Sequence, residues 1–566
     1  MIETLAGPAA ALATELRRAV REAGGPPDFE PTLERPPDPR HGDLASNAAL
    51  VLAGRLKLPP RELAHRIART IDPAAAGLSA VEVAGPGFLN FRLDDSLLWE
   101  GLRGILAADR AWGRSDSDSR RVNVEFVSTN PTGPLHVAHG RGAAVGDAVA
   151  SLLEWTGCTV TREFYVNDAG RQIDLLGESV EARYRQERGG GAEVPESGYH
   201  GGYVTELARR IAAEEGASQL DALSAEKRTR LFARRASAIL REEQAEDLEA
   251  FGVCMDRFSE ESAFAGQSRL SALLERLQTA DHAYRDGGAV WLRTSRFGDE
   301  KDRVLVKSDG SHTYFLTDIA YHLDKLERGY DLAIDVWGAD HHGHVPRMRA
   351  ALQALGAPSD FLEVVLIQLV TVFRGGEEVR MSKRAGEFVP LRELFEETGR
   401  DVARYFFLMR RSEAPLNFDL DLALDTSEAN PVYKVQYAHA RMCSVFGKGR
   451  VEPAAVTADP EVLARLDGES EREVTKILLR FPEVVRGAAD ARAPYQVCGY
   501  LEELAGAVNS WYHEGNMDPA RRVLAEGPTR PARLALARAV QITLRNGLRL
   551  LGLRAPQRMI REGDRG

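Results

Sequence analysis

The first 112 residues have the hydrophobic spacing of a small α+β domain. Leucines and valines recur at helical intervals near the start, and the stretches Ala45–Leu56 and Arg61–Ile71 keep the same period. Residues 87–93 instead alternate apolar and polar side chains, as a strand does. We therefore predict an α+β N-terminal domain over residues 1–112, followed by a polar linker at Ser115–Ser119.

A different pattern begins at Arg121. Apolar and polar residues alternate over 121–126, a loop rich in Gly and Pro follows, and residues 142–153 have helical spacing. A second strand is predicted over 159–166, at the distance that a parallel crossover requires. This order predicts a Rossmann-like, doubly wound parallel sheet, with later strands over 332–337 and 364–372.

Two helical regions complete the predicted architecture. Residues from about 180 to 282 are charged and helical in pattern, so we predict an insertion into the sheet there. After residue 427 the spacing is helical to the end, which predicts an all-α bundle. The fold class is therefore multidomain α/β: an N-terminal domain (1–112), a central doubly wound domain (113–426) and an all-helical domain (427–566).

Composition narrows the class of protein. The 566 residues are 28% charged with a formal net charge of −11, so any basic face for nucleic acid must be local. The sequence has no apolar run of about eighteen residues and has charges near its start, which argues against a membrane helix and a secretory leader. Four dispersed cysteines argue against a zinc knuckle or a disulfide framework. We expect a cytoplasmic protein without a membrane partner.

The loop after the first strand of the sheet carries two histidines. His136 and His139 lie three residues apart, within Ser128–Gly142, where a helix is predicted to begin. A helix N-terminus attracts phosphate, and imidazoles there can donate to a transferring phosphoryl group. Taken alone, a His-x-x-His pair is more often a metal site or a solvated turn than a phosphate site.

A second loop follows the strand predicted over 364–372. Residues 374–386 are rich in glycine and basic residues, and Lys383 lies near their centre. A loop of this kind can neutralise pyrophosphate, although the same pattern alone is also that of an exposed basic turn.

Together the two loops resemble the HIGH and KMSKS elements of class I aminoacyl-tRNA synthetases, in their order and in their placement at strand ends. Longer segments resemble arginyl-tRNA synthetases almost from end to end. The matching segments are Val124–His136, Phe164–Gln172, Tyr314–Asp318, Trp337–His344, His41–Asn47, Gly87–Phe91 and Val435–Arg441.

The resemblance implies an ATP-dependent arginine–tRNA ligase. Such an enzyme uses ATP with Mg²⁺ to convert L-arginine to arginyl-adenylate, then esterifies the 3′-terminal adenosine of tRNA(Arg). The resemblance also implies that tRNA is needed for activation and that the chain is a monomer. We expect no zinc, no other metal ligands and no DNA partner.

Site residues follow from the same resemblance. The catalytic residues are His136, His139 and Lys383. Arginine binding is assigned to Glu125, Asn130, His136, Tyr314, Asp318 and His341. ATP binding is assigned to Gly133, His136, His139, Gly140, Met381, Ser382 and Lys383. tRNA binding is assigned to Asn90, Tyr437 and Arg441.

Physical chemistry supports the arginine assignment separately. A guanidinium group is a planar, permanently charged fork that needs carboxylates around it, and Asp318 and Glu125 can supply them. Each residue also has an ordinary structural explanation: Asp318 could cap a helix, Glu125 could lie at a sheet edge, and Tyr314 could be a core aromatic.

The end of the chain is locally basic, which predicts an RNA-binding face. The cations are Arg533, Arg538, Arg545, Arg549, Arg554, Arg558 and Arg561, with Tyr433, Tyr437, Trp511 and Tyr512 as aromatic partners.

Three positions depart from the family pattern. Ala138 replaces the Gly of HIGH, where an added methyl could weaken the approach of adenosine. Arg380 and Arg384 replace the first Lys and the last Ser of KMSKS, which retains positive charge but not an equivalent phosphate ligand. Two alternatives stay open: a class I synthetase of another amino-acid specificity, and a non-catalytic tRNA-binding relative.

Overall fold

The computed structural model describes residues 8–36, 38–379 and 389–559. The N-terminal domain combines helices with a three-stranded antiparallel sheet of order β1-β3-β2. Its elements are α1 Pro8–Glu22, β1 Leu44–Ser46, α2 Ala48–Leu56, α3 Pro60–Thr70, β2 Leu78–Ala84, β3 Phe88–Leu93 and α4 Asp95–Ala108. The predicted α+β class is confirmed.

One predicted helix begins later than its hydrophobic spacing indicates. The stretch from Ala45 to Leu56 divides into β1 and α2. Leu44 and Ser46 pair with Phe91 and Leu89 of β3. Backbone pairing with a distant strand overrides the local helical spacing here.

The central domain is built around parallel strands with helical crossovers. Its elements are β4 Arg121–Glu125, α5 Val137–Trp155, β5 Thr159–Val166, α6 Arg171–Glu187, α7 Gly202–Glu215, α8 Ala217–Ala222, α9 Ala225–Ala250, β6 Arg257–Glu260, α10 Glu261–Phe264, α11 Gln267–Thr279, β7 Ala283–Asp286, β8 Ala289–Leu292, β9 Arg303–Val306, α12 Tyr314–Glu327, β10 Leu332–Gly338, α13 Val345–Ala354, β11 Leu362–Ile367, β12 Val370–Arg374, β13 Glu377–Glu378, α14 Leu391–Thr398, α15 Arg400–Leu408, β14 Leu416–Asp419 and α16 Leu420–Leu424.

The main sheet has the strand order β11-β10-β4-β5-β6, and all its pairs are parallel. The chain starts in the middle at β4, extends to β6 on one side, and then returns to add β10 and β11 on the other. The direction of winding therefore reverses between β4 and β10. In doubly wound folds a ligand crevice forms at the carboxyl ends of the strands at such a switch point. The predicted sheet is confirmed.

The structure differs from the predicted elements in two places. The strand predicted over 364–372 is two strands in different sheets, because β11 pairs with β10 whereas β12 pairs with β13 and β14. The region predicted as a helical insertion, about 180–282, contains β6, which returns to the main sheet beside β5. The small antiparallel sheet β7-β8-β9 follows it.

The C-terminal region is helical, as predicted. Its helices are α17 Pro431–Gly449, α18 Pro460–Leu463, α19 Glu469–Leu479, α20 Phe481–Asp490, α21 Tyr495–Met517 and α22 Arg530–Leu550. The Asn430 side chain accepts hydrogen bonds from the first backbone N–H groups of α17, which fixes where that helix begins. Among the described residues, no helix combines the length and the apolar character needed to cross a membrane.

The basic face predicted at the end of the chain is largely used within the protein. Arg538 and Arg545 both pair with Asp109, at 3.1 and 2.9 Å, and so join α22 to the N-terminal domain. Arg533 pairs with Glu471 and Arg554 with Asp401, while Arg561 lies outside the described residues. Trp511 and Tyr433 are buried. These arginines neutralise internal carboxylates, so their number overstates the charge left for RNA.

Candidate active site

The site lies at the carboxyl edge of the main sheet, beside the switch point. Glu125 is the last residue of β4, and the histidine loop starts immediately after it. Val127 and Ser128 have φ values of +71° and +38°. Two consecutive non-glycine residues in the left-handed region, one of them β-branched, are rare and need support from their surroundings. A strained turn at Val127 and Ser128 therefore sets the direction in which the histidine loop leaves β4.

The two histidines lie together at the start of α5. His136 is the residue before the helix, its backbone N–H donates to His139 Nδ1 at 3.3 Å, and the two rings stack with centroids 3.6 Å apart. Burial lowers the pKa of His136 to about 4. Burial and the neighbouring His136 lower the pKa of His139 to about 3. Both rings are therefore neutral at pH 7 and can donate hydrogen bonds without carrying a fixed charge.

A cavity of about 520 Å³ opens in front of these histidines. Tyr203 Oη donates to the Thr132 carbonyl at 2.8 Å, and Gln244 Nε2 donates to the Gly133 carbonyl at 2.9 Å, so the helical insertion supports this wall. The lining includes Thr129, Asn130, Thr132, Gly133, Pro134, His136, His139, Gln172, Tyr199, Tyr203, Gln244 and Pro390. Its volume and its position at a helix N-terminus suit a nucleotide phosphate chain.

Gly140 has a packing role. It is buried and outside the cavity lining, and a Cβ at this position would lie 2.4 Å from Leu391 Cδ1. Gly133, His136 and His139 line the cavity, as their assignment to ATP binding requires, whereas Gly140 does not.

The chain just after the lysine loop contacts the histidine loop. Met381, Ser382 and Lys383 lie outside the described residues. The chain that follows them is hydrogen-bonded to the histidine loop: Val137 N–H donates to the Val389 carbonyl at 3.2 Å, and Leu391 N–H donates to the Leu135 carbonyl at 2.8 Å. The residues that follow the second signature segment in sequence therefore lie against the first.

Asn130 lies in the cavity between strand ends. Its Nδ2 donates to Gln172 Oε1 at 2.9 Å, and its Oδ1 accepts from Asn167 Nδ2 at 3.1 Å. These contacts hold a short polar side chain between the loop after β4 and the loop after β5. The arrangement suits the charged α-amino and carboxylate groups of an amino acid.

A cluster of carboxylates forms the other end of the site. Asp318 on α12 is half-buried, and Asp168 accepts from the Ser262 N–H and Oγ at 2.9 and 2.7 Å. Burial, together with the charges of Asp318 and Asp168, raises the pKa of Glu261 to about 7. Neighbouring carboxylates that raise a pKa in this way are ready to bind a cation.

Glu261 is absent from the sequence-based assignment. It is the residue that follows β6, and β6 lies inside the region whose spacing predicted only helices. A four-residue strand carries too little periodicity to detect. Only its position at the same edge of the sheet, visible in the structure, relates Glu261 to Asp318.

Aromatic residues surround this carboxylate cluster. Tyr314 is 71% exposed, and a Cβ at Gly170 would lie 3.4 Å from its hydroxyl, so the ring stands beside the loop after β5. Tyr165 is buried, and its hydroxyl has no hydrogen-bond partner among the described residues. A buried polar atom without a partner usually marks a place where a ligand or water binds.

The histidines that follow β10 lie at the rim. His344 Nε2 is 3.4 Å from Asp318 Oδ2. His341 is more exposed, and its Nδ1 lies 3.3 Å from Asp340 Oδ1. His344, rather than the assigned His341, therefore contacts the acidic end of the site.

Glu125 differs from the expectation that it faces the substrate guanidinium. It is buried, its Oε2 accepts from Lys325 Nζ at 2.5 Å, and its Oε1 accepts from Ser128 Oγ at 2.8 Å. Both carboxylate oxygens are therefore used inside the protein. The sequence could not reveal this pairing, because Lys325 is 200 residues away.

Glu125 also belongs to a cluster with the donor set of a metal site, formed with His322 and Asp335. The Lys325 ammonium lies 2.5 and 2.7 Å from the carboxylates of Glu125 and Asp335. A cation of the chain itself therefore already neutralises this cluster.

The three residues assigned to tRNA differ in exposure. Asn90 is only 6% exposed, within β3. The Arg441 guanidinium lies 4.6 Å from the ring centroid of Tyr437 and 4.8 Å from that of Tyr512, and it donates to Asn509 Oδ1 at 2.5 Å. Tyr437 and Arg441 therefore form a cationic aromatic surface of the kind that stacks on bases, whereas Asn90 is largely covered.

Comparison with protein families bears on the amino-acid specificity. Residues 10–93 match the arginyl-tRNA synthetase N-terminal domain, residues 101–411 match the catalytic domain of class I tRNA synthetases (R), and residues 435–559 match the DALR anticodon-binding domain. The chain belongs to the arginyl-tRNA synthetase family. The specific N-terminal domain favours this family over a class I synthetase of another specificity.

Individual members of the arginyl-tRNA synthetase family are similar to this chain over nearly its whole length. An arginine–tRNA ligase of Halorhodospira halophila is 47% identical and covers 97% of this chain and 99% of its own length. The arginine–tRNA ligase of Listeria welshimeri is 45% identical and covers 97% of this chain and 98% of its own length. The crystal structure of Thermus thermophilus arginyl-tRNA synthetase has a TM-score of 0.74 and 25% identity, covering 97% of this chain and all of its own.

Proposed function

We propose that the chain is an arginine–tRNA ligase that forms arginyl-adenylate from L-arginine and ATP and then esterifies the 3′-terminal adenosine of tRNA(Arg). The observation that carries the proposal is the pairing of an acidic cluster with a histidine-lined cavity at one edge of the sheet. The first suits a guanidinium group and the second suits a phosphate chain. Family membership supports the same activity.

The acidic end binds the guanidinium group. Asp318 and Glu261 accept its N–H groups and Tyr314 lies against its plane. The Tyr165 hydroxyl, which has no hydrogen-bond partner in the described part of the chain, offers a further acceptor. The α-amino and carboxylate groups extend to Asn130 and His136 in the cavity. The arginine carboxylate then faces the α-phosphate of ATP.

ATP binds in the cavity at the N-terminus of α5. The arginine carboxylate attacks the α-phosphorus in line, a bond to oxygen forms there, and pyrophosphate leaves with the pair of electrons from the broken P–O bond. His136 and His139 donate hydrogen bonds to the phosphoryl oxygens, and Lys383 supplies positive charge. Mg²⁺ enters with the ATP phosphates as part of the substrate. Lys325 already neutralises the one buried carboxylate–histidine group found in the described chain.

tRNA binds across the helical domain, where Tyr437 and Arg441 present a stacked cation for the bases. The amino-acid end of the tRNA then reaches the adenylate formed at the sheet edge. The enzyme acts as a monomer in the cytoplasm and requires tRNA for the activation step.

The test is charging of unfractionated tRNA with radiolabelled arginine, beside lysine, cysteine and methionine. We expect arginine alone to be charged, and we expect Lys383→Ala to abolish charging. Pyrophosphate exchange with and without tRNA tests the requirement for tRNA. Charging of a different amino acid would identify another synthetase. Binding of tRNA without any charging would identify a non-catalytic relative.

A further inference from the structure

A buried lysine connects the two ends of the arginine site. Lys325 is fully buried on α12, with its ammonium 2.5 Å from Glu125 Oε2 and 2.7 Å from Asp335 Oδ1. Glu125 and Asp335 are register partners on the adjacent parallel strands β4 and β10, so their side chains lie side by side on one face of the sheet. Two neighbouring carboxylates in the interior repel each other unless a cation separates them.

The cluster has a second cation. His322 Nδ1 lies 2.7 Å from the Asp318 carbonyl, and His322 Nε2 lies 2.7 Å from Asp335 Oδ2. Both neighbours accept hydrogen bonds, so both ring nitrogens donate and the ring is an imidazolium. Burial alone would lower the pKa of His322, but Asp335 raises it. Burial alone would raise the pKa of Asp335, but Lys325 and His322 lower it to about 2.

One side of this cluster supports the strained turn after β4. Glu125 Oε1 accepts from Ser128 Oγ at 2.8 Å, and Ser128 Oγ accepts in turn from the Tyr165 N–H of β5 at 3.1 Å. Ser128 and Val127 have positive φ. These bonds hold the backbone in a conformation that it would otherwise leave, and they do so two residues before Asn130.

The other side supports α12. His322 binds the backbone carbonyl of Asp318, one helical turn away, and Lys325 lies one turn further along the same helix. The Lys325 ammonium also lies 4.7 Å from the centroid of the Tyr321 ring, which fixes its direction. The helix that carries Asp318 and Tyr314 is thereby joined to the strand that carries the Asn130 loop.

We infer that Lys325 is a positioning residue for arginine, which sets the distance between the guanidinium end at Asp318 and the α-amino end at Asn130. The inference rests on the proposed function. Glu125 contributes to the site through this contact and through Ser128. The length of the lysine side chain, held between two strands and a helix, thus becomes part of the selectivity for a substrate of one length.

The test compares Ser128→Ala, Lys325→Met and the paired variant Lys325→Met with Glu125→Gln. Ser128→Ala breaks the chain of contacts without leaving a buried charge. We expect it to raise the KM for arginine about 3- to 10-fold, the effect of one hydrogen bond of ordinary strength, with the KM for ATP within about twofold. We expect discrimination against homoarginine, one methylene longer, to fall at the same time.

Arg228→Met is the matched control, because Arg228 forms a part-buried ion pair with Glu181 in the helical insertion. It should lower Tm without changing the KM for arginine, as a purely structural pair would. Lys325→Met should lower Tm and also raise the KM for arginine. If it fails to fold, the paired variant, which is left without the buried Glu125 charge, and Ser128→Ala carry the decision.

An unchanged KM for arginine and unchanged discrimination in Ser128→Ala and in any folded Lys325 variant would overturn the inference. Wild-type enzyme that exchanges no pyrophosphate with arginine, even with tRNA, would instead contradict the proposed function. The two failures are therefore distinguishable.

Discussion

The amino-acid end and the nucleotide end of the active site differ in the charge of their side chains. At the amino-acid end, burial and the charges of Asp318 and Asp168 raise the pKa of Glu261 to about 7, and this end has an excess of carboxylates. At the nucleotide end, burial keeps His136 and His139 neutral. Arginine brings the cation that the first end lacks. The proposed ATP site lies at a helix N-terminus, whose charge is only partial.

The difference indicates where specificity and catalysis reside. An acidic cluster left partly unneutralised selects a permanent cation, because a neutral side chain would displace water from the carboxylates without supplying a counter-charge. Neutral imidazoles can instead donate to charge that develops only in the transition state, without binding the ground state too tightly. In the proposed mechanism, positive charge for pyrophosphate comes from Mg²⁺ and from Lys383.

The largest effect should follow loss of charge at the acidic end. Asp318→Asn should lower kcat/KM for arginine about 10³-fold, the effect of truncating a charge pair that is desolvated on binding. Steady-state pyrophosphate exchange in the presence of tRNA measures it. The matched control is Asp340→Asn, at an exposed carboxylate, which should change kcat/KM less than about twofold. Equal effects of the two substitutions would remove Asp318 from the guanidinium site.

The next effect concerns the nucleotide end. His139→Asn should lower kcat about 10²-fold and leave the KM for arginine unchanged, because it removes one donor to the transferring phosphoryl group. Since the pKa of His139 is about 3, the rate should show no step near pH 6.5 that the substitution removes. A step of that kind in the wild type, lost in His139→Asn, would mean that the ring acts as a cation.

A smaller effect should depend on pH. The pKa of Glu261 is raised to about 7, so its carboxylate is increasingly protonated below that pH and ionised above it. The KM for arginine should therefore fall as the pH rises from 6 to 8. Glu261→Gln should flatten this dependence and raise the KM about tenfold at pH 8. A Glu261→Gln profile that still follows the wild type would assign the pH dependence to another group.

The smallest effect lies outside both ends. Tyr437→Ala should raise the KM for tRNA about three- to tenfold, since it removes a base-stacking surface and one of the two rings that hold Arg441. The KM values for arginine and ATP in the exchange reaction at saturating tRNA should not move. A change in either would show that the helical domain acts on the site directly.

Sequence patterns predicted the elements with strong local signals. His136 lies before α5 because turn residues precede it and a long helical period follows, and both signals are local. The doubly wound sheet followed from long apolar strands with crossovers. Short strands carry too little periodicity to be recognised. The strand β6 was therefore not separated from the helical pattern around it, and Glu261, the residue that follows β6, was not assigned to the site. The division of residues 364–372 into two strands depended on distant pairing partners.

The partners of a candidate residue were harder to predict than its assignment to the site. Glu125 was found from its segment, but its partner Lys325 is 200 residues away and belongs to another element. The terminal arginines were counted as a basic face, although Arg538 and Arg545 contact Asp109 more than 400 positions earlier. Long-range ion pairing decides whether a charge faces a ligand or the interior, and no local pattern reports it.

The most direct test of this account is the ratio of kcat/KM for arginine to that for citrulline, a nearly isosteric amino acid without the charge. Pyrophosphate exchange with saturating ATP and tRNA measures both. An acidic cluster that selects a cation predicts a ratio above about 10³, because citrulline brings no positive charge to Asp318 and Glu261 and replaces one N–H donor group with a carbonyl oxygen. A ratio near one would mean that shape alone selects the substrate, and it would contradict the proposed role of these carboxylates.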